Sequence, residues 1–90
     1  MIVRQTSLFK RRVKKMHPAE KKALDKVVKL IMSDPSIGDM KIGDLTGIQV
    51  HKYKHNTQQY LIAYEYINDE LVLTFIDHGT HENFYRGLKH

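Results

Sequence analysis

Ninety residues make room for one small domain with a thin core, since a chain this short buries only about 60% of its unfolded surface. A hydrophobic fraction of 41% and a charged fraction of 28% exclude a disordered tail, Met1–Gln5 lacks the apolar stretch of a secretory signal, and no apolar run nears the ~20 residues that cross a bilayer. The absence of cysteine excludes a disulfide scaffold, a zinc–thiolate site and a thiol nucleophile, while a net charge of +5 suits a polyanionic partner, either nucleic acid or an acidic protein.

Ile2–Gln5 is short and β-compatible, an expected edge strand. Thr6-Ser7 offers an N-cap, and Leu8, Phe9, Val13 and Met16 recur at helical spacing among basic residues, so Ser7–Met16 is an expected amphipathic helix. His17-Pro18 breaks it. Pro18 with Glu20 close behind is a restart signal, and Ala23, Leu24, Val27, Val28, Leu30 and Ile31 give a second helix over Pro18–Met32. Asp34-Pro35-Ser36-Ile37-Gly38 ends that helix, and Gly38–Gly47 reads as loop. The period then changes to two. Ile48–His55 alternates, Asn56-Thr57-Gln58 is a polar turn, Gln59–Ile67 is a β-branched and aromatic run, Asn68-Asp69 is a hairpin signal, and Glu70–Ile76 is a third strand. Asp77–Thr80 is an expected turn and Glu82–Lys89 an expected short helix. The predicted class is α+β: an N-terminal strand and a helix hairpin packed on a small antiparallel meander, in the order β-α-α-β-β-β with a short C-terminal helix.

Charge is divided along this order. Residues 1–34 hold ten Lys+Arg against three Asp+Glu, which is +7; residues 35–90 hold five against seven, which is −2. Five of the six histidines lie in the second part. His51, Lys52, Lys54 and His55 share one strand, and His78, His81, Tyr85 and Arg86 follow the last strand. A meander brings these two groups to neighbouring positions. Strand parity sends Lys52 and Lys54 one way and His51, Tyr53 and His55 the other, but His55 stands where the strand meets its turn, and parity does not fix its side there. Cations with imidazoles and a phenol suit cleavage of RNA: a base takes the 2′-hydroxyl proton, a cation steadies the charge on phosphate, and an acid protonates the leaving 5′-oxygen. RNA supplies the nucleophile, so no metal or other cofactor is expected. Plainer readings compete. Exposed strand lysines resist edge aggregation, Tyr60, Tyr64 and Tyr66 are core candidates, the helix lysines suit a solvated face or a docking surface, and Asp77 suits a turn cap.

The second half of the chain resembles the RelE/ParE superfamily of bacterial type II toxins. Asp44-Leu45-Thr46-Gly47 looks like the family's L-x-G segment, and Tyr60-Leu61-Ile62-Ala63-Tyr64-Glu65 looks like its middle strand. Gly79-Thr80-His81-Glu82-Asn83-Phe84-Tyr85 is similar to the G-T-H-x-x-L-F ending of the YafQ-type branch. The resemblance covers roughly residues 44–86 and implies a single toxin domain over residues 1–90. It implies a cytoplasmic, metal-independent mRNA endoribonuclease that acts in the translating ribosome, with ribosome and mRNA as partners and a cognate antitoxin that neutralises it. Carried over, His55 and His81 are the acid–base candidates, and Lys52 and Lys54 hold the phosphate or help deprotonate the 2′-hydroxyl. Tyr85 stacks on or positions the substrate and Arg86 supplies a cation; apart from the resemblance, His51, His78 and Gln59 are expected, with Arg86, to bind the substrate. The chain departs from its relatives at Leu61, where many have arginine, at Gln59, where the YafQ-type branch has aspartate, and at Gly43-Asp44, where that branch has a histidine. A ParE-like gyrase inhibitor shares this fold without nuclease chemistry, and a plain basic nucleic-acid-binding domain is the third reading.

Overall fold

The structure is a computed structural model, and it describes residues 1–41 and 47–80. The chain opens with strand β1 (Ile2–Gln5), then helices α1 (Ser7–Lys14) and α2 (Pro18–Ser33) and a 3-10 turn (Pro35–Ile37). Strands β2 (Asp39–Met40), β3 (Gln49–His55), β4 (Gln58–Ile67) and β5 (Val72–Thr80) follow. They form one sheet in the order β1-β5-β4-β3-β2. β1 runs parallel to β5, and every other pairing is antiparallel.

The helix ends follow from local hydrogen bonding. Thr6 Oγ1 accepts from the Phe9 N–H at 3.1 Å and donates to the Ile76 carbonyl at 2.6 Å, so one hydroxyl caps α1 and ties it to the sheet. Glu20 Oε1 accepts from the His17 N–H at 2.9 Å, which closes the first turn of α2 behind Pro18. The apolar stripes then bury against one sheet face. Phe9, Leu24 and Ile31 pack on Ile62, Tyr64, Leu73 and Phe75. On the opposite face Val50, Leu61 and Ala63 form a smaller cluster with Ile48 and Ile76.

Beyond α2, the chain is latched to the sheet by buried polar groups. The Tyr64 hydroxyl donates to the Pro35 carbonyl at 2.6 Å and accepts from the Gly38 N–H at 2.8 Å. Gln49 Nε2 donates to the Pro35 and Gly38 carbonyls at 2.9 and 3.2 Å. A Cβ on Gly38 would sit 2.5 Å from the Tyr64 hydroxyl, so glycine is required there by space.

Several expectations are corrected. Helix α1 stops at Lys14. Asp39–Met40, read as loop, pairs with Gln49 and Val50 as a two-residue strand. Asp77–Thr80 is strand rather than turn, because β5 continues along Tyr60–Ala63 of β4. It continues through an irregularity: Tyr64 faces Phe75 and Ala63 faces Asp77, which leaves Ile76 as an extra residue in β5. Asn56, at φ 56°, turns the β3–β4 hairpin, and Leu71, at φ 54°, sits just before β5. The predicted terminal helix at residues 82–89 lies outside the described residues.

Candidate functional site

The β3–β4 register divides the predicted residues between two faces. Lys52 lies opposite Leu61 and Lys54 opposite Gln59; Tyr53 lies opposite Tyr60, and His51 opposite Ile62. Directly opposed residues project to the same side. Leu61 belongs to the cluster away from the helices, and Ile62 to the helix-packed core. Lys52 and Lys54, both exposed, therefore share the outer face with half-buried Gln59. His51 and Tyr53 face the helices.

The bulge decides where His78 points. In an unbroken strand, Phe75 and His78, three apart, would project to opposite faces. The extra residue at Ile76 lets both face the helices. His78 is 3% exposed and its ring packs against two phenols. The Tyr60 and His78 centroids lie 5.5 Å apart with planes at 13°, and the Tyr53 ring lies 5.6 Å from Tyr60 and 5.7 Å from His78. The Tyr53 hydroxyl is in hydrogen-bond contact with His78 Nε2. The Tyr60 hydroxyl donates to Glu20 Oε2 at 2.7 Å. Asp77 Oδ1 accepts from the His78 N–H at 2.7 Å and pairs with Arg12 Nε at 3.2 Å.

Protonation follows from these surroundings. Burial pushes His78 down to about 4, against the opposing pull of the Asp77 and Glu20 carboxylates. Burial raises the Tyr53 phenol above its ordinary value. His78 is thus neutral at pH 7, which makes Tyr53 the donor and Nε2 the acceptor. The hydrogen bond from the His17 N–H, then that from Tyr60, lowers the Glu20 carboxyl, and the same Glu20 bond raises Tyr60. Beside this stack lies a cleft of about 410 Å³, lined by Arg12, Lys15, Met16, Glu20, Tyr60 and Asp77 and floored by His78, Gly79 and Thr80.

The remaining predicted residues fall as follows. His55 ends β3 half-buried and borders, with Tyr53 and Lys54, a second cleft walled by Ala19, Lys22, Ala23 and Lys26 of α2. His51 is half-buried, and desolvation lowers its pKa while Asp39 pulls the other way. His81, Tyr85 and Arg86 lie outside the described residues, and so does any meeting of His55 with His81. Sequence reasoning missed Arg12 and Tyr60 as site residues, gave Glu20 only a capping role, and placed Asp77 in a turn. The one available signal was Glu20 behind Pro18; nothing local announced the bulge. Among the described residues no group of three or more His, Asp or Glu is placed to hold a metal, and no helix is long and apolar enough to cross a membrane.

A helix hairpin laid on a five-stranded sheet, with exposed lysines on its outer face, defines a small α+β fold of the RelE type. The chain matches the family model of ParE-like toxins of type II bacterial toxin–antitoxin systems over residues 3–89, and it belongs to that family. Its fold is similar to RelE of E. coli in the intact RelBE toxin–antitoxin complex, with TM-score 0.71 and 17% identity, covering 87% of this chain and 93% of that one. It is similar to the isolated E. coli RelE toxin, with TM-score 0.69 and 18% identity over 98% and 95% of the two chains. It is also similar to a chain of the RelBE2 toxin–antitoxin complex of Mycobacterium tuberculosis, with TM-score 0.71 and 17% identity over 89% and 96%. No curated protein matches the sequence.

Proposed function

We propose that this type II toxin is an endoribonuclease that cuts mRNA on the translating ribosome. The observation that carries this reading is the pair Lys52 and Lys54: two exposed ammoniums at alternate positions of β3, on the sheet face turned from the helices, with Gln59 beside them. They hold the scissile phosphate and stabilise the charge that grows on it. A base removes the 2′-hydroxyl proton, the 2′-oxygen bonds to phosphorus, and the 5′-oxygen leaves with a proton from an acid. The products are a 2′,3′-cyclic phosphate and a 5′-hydroxyl. On this reading His81, which follows the end of β5, is one of the acid–base pair, and His55, which ends β3 and borders the same cleft as Lys54, is the other. Tyr85 and Arg86 position the substrate. RelE–antitoxin complexes support a cognate antitoxin for this chain as well.

The test is induction of the chain followed by primer extension on a reporter transcript. Cuts appear within translated codons, and K52A/K54A and H55A/H81A abolish them while antitoxin binding persists. Full toxicity in those variants would sink the reading. Leu61 favours a second one: it is fully buried opposite Lys52, so no cation stands there, and the family model is that of the ParE-like toxins. A gyrase inhibitor would give stalled gyrase–DNA complexes and an SOS response with intact transcripts.

A further inference from the structure

The cleft beside the ring stack lies on the helix side, and the lysine face lies on the other. Its cations are not equivalent to the other bases of α1. Arg12 is tied through Nε alone to Asp77 Oδ1, an oxygen also fixed by the His78 N–H. Among the described residues neither terminal nitrogen of Arg12 has a partner, and its side chain is 52% exposed against 13% for Asp77. A guanidinium anchored through Nε, with both amino groups unspent among the described residues, has already lost the rotamer freedom that binding would otherwise cost. Lys15, one helical turn on, brings a second cation to the same cleft. The formal charges cancel, yet they are not equally available. Glu20 is committed to the His17 N–H and the Tyr60 hydroxyl, and Asp77 to Arg12 and the His78 N–H. The Tyr60 ring and Met16 supply a wall against which a sugar or base edge can lie.

We infer that this cleft is a second phosphate subsite, in which Arg12 and Lys15 hold a phosphodiester of the RNA strand away from the scissile bond. The ligand identity rests on the nuclease reading; the site itself does not. An acidic peptide is the less suitable occupant, because Glu20 and Asp77 would repel a run of carboxylates and the aromatic wall would go unused.

The test is fluorescence anisotropy of a labelled, uncleavable 2′-O-methyl oligoribonucleotide against the full chain over a range of salt. Arg12→Ala weakens binding about tenfold and lowers the slope of log K against log salt by about 0.7, one phosphate contact on a single strand. Lys14→Ala, an equal loss of charge on the same helix outside the cleft, changes affinity less than threefold. Asp77→Asn keeps the slope but loses affinity, because the guanidinium is no longer anchored. Equal effects of R12A and K14A would overturn the subsite, as would an R12A that weakens binding of acidic peptide but not of RNA. A wild-type toxin that cuts mRNA while R12A binds RNA normally removes this inference alone. One that binds RNA through Arg12 yet cuts nothing supports the subsite and removes only the nuclease.

Discussion

The two sides of β3 handle charge in opposite ways. On the outer side Lys52 and Lys54 stand in solvent. One residue along, Tyr53 turns inward and meets His78, and the ring of Tyr60 closes on both. Among the described residues the outer groups have no hydrogen-bond or ion-pair partner to lose before a ligand binds. The inner groups are spent on one another, and their titration is therefore a property of the fold. A single stretch, His51-Lys52-Tyr53-Lys54-His55, supplies both sides, so residue types that look like one site along the chain belong to two.

Removing both lysines is the sharpest way to break the comparison. K52A/K54A is expected to lower mRNA cleavage at least about a thousandfold, the loss of two charge-stabilising donors, or about 4 kcal/mol of transition-state binding. The midpoint of urea unfolding should stay within about 0.5 kcal/mol of wild type, since both side chains are exposed. A large loss of stability in this variant would mean that the outer face is structural after all.

The inner side should show itself through pH instead. His78 titrates near 6.5 in the unfolded chain and at about 4 in the fold, where burial disfavours the imidazolium. The unfolded state therefore binds more protons between those values, and stability rises with pH across the window. The contribution of His78 is complete above about pH 7 and falls by about 2 kcal/mol by pH 5, before most carboxylates titrate. His51, lowered by its own desolvation, acts in the same direction. Urea unfolding at pH 7 and pH 5 measures the difference. His78→Phe should flatten most of it, at the cost of leaving the Tyr53 hydroxyl without its acceptor. A wild-type protein equally stable at both pH values would show that the imidazole is solvated.

Part of this division was legible in the sequence. The period-two runs placed Gln49–His55, Gln58–Ile67 and most of β5, and Pro18 with Glu20 placed α2 to within a residue, because those signals are local. Strand parity already separated Lys52 and Lys54 from His51 and Tyr53. The inner cleft was not legible. Arg12 and Asp77 meet across 65 positions, and Tyr60 and Glu20 across 40. Their meeting depends on a bulge that no residue type at Ile76 demands; packing of Phe75 and His78 against the same helix layer selects it. The parallel pairing of β1 with β5 and the two-residue β2 are likewise decided by what lies across the sheet.

Two backbone positions sharpen the comparison at smaller cost. Gly38→Ala would drive a methyl group to 2.5 Å from the Tyr64 hydroxyl, which bridges the Pro35 carbonyl and the Gly38 N–H. Relief requires moving that ring or the chain beyond α2, and a loss of about 2 kcal/mol is expected. Because the latch lies on the helix side and away from Lys52, cleavage at a temperature where the variant is folded should be unchanged. A fall in cleavage in that folded variant would mean that the faces are coupled.

The smallest effect is expected at Leu71. Its φ of 54° places a γ-branched side chain in the left-handed region, and the side chain is 50% exposed, so little packing compensates. The backbone there is committed, since the Leu71 carbonyl accepts from the Ile2 N–H at 2.8 Å and so starts the β1–β5 ladder. Left-handed strain of about 1–2 kcal/mol is set against the greater chain entropy that glycine loses on folding, about 0.5–1 kcal/mol. Leu71→Gly should therefore stabilise the protein by about 0.5–1 kcal/mol in urea unfolding and leave RNA cleavage and binding unaltered. A destabilisation would show that the exposed leucine contributes more through contacts at the start of β5 than its backbone strain costs.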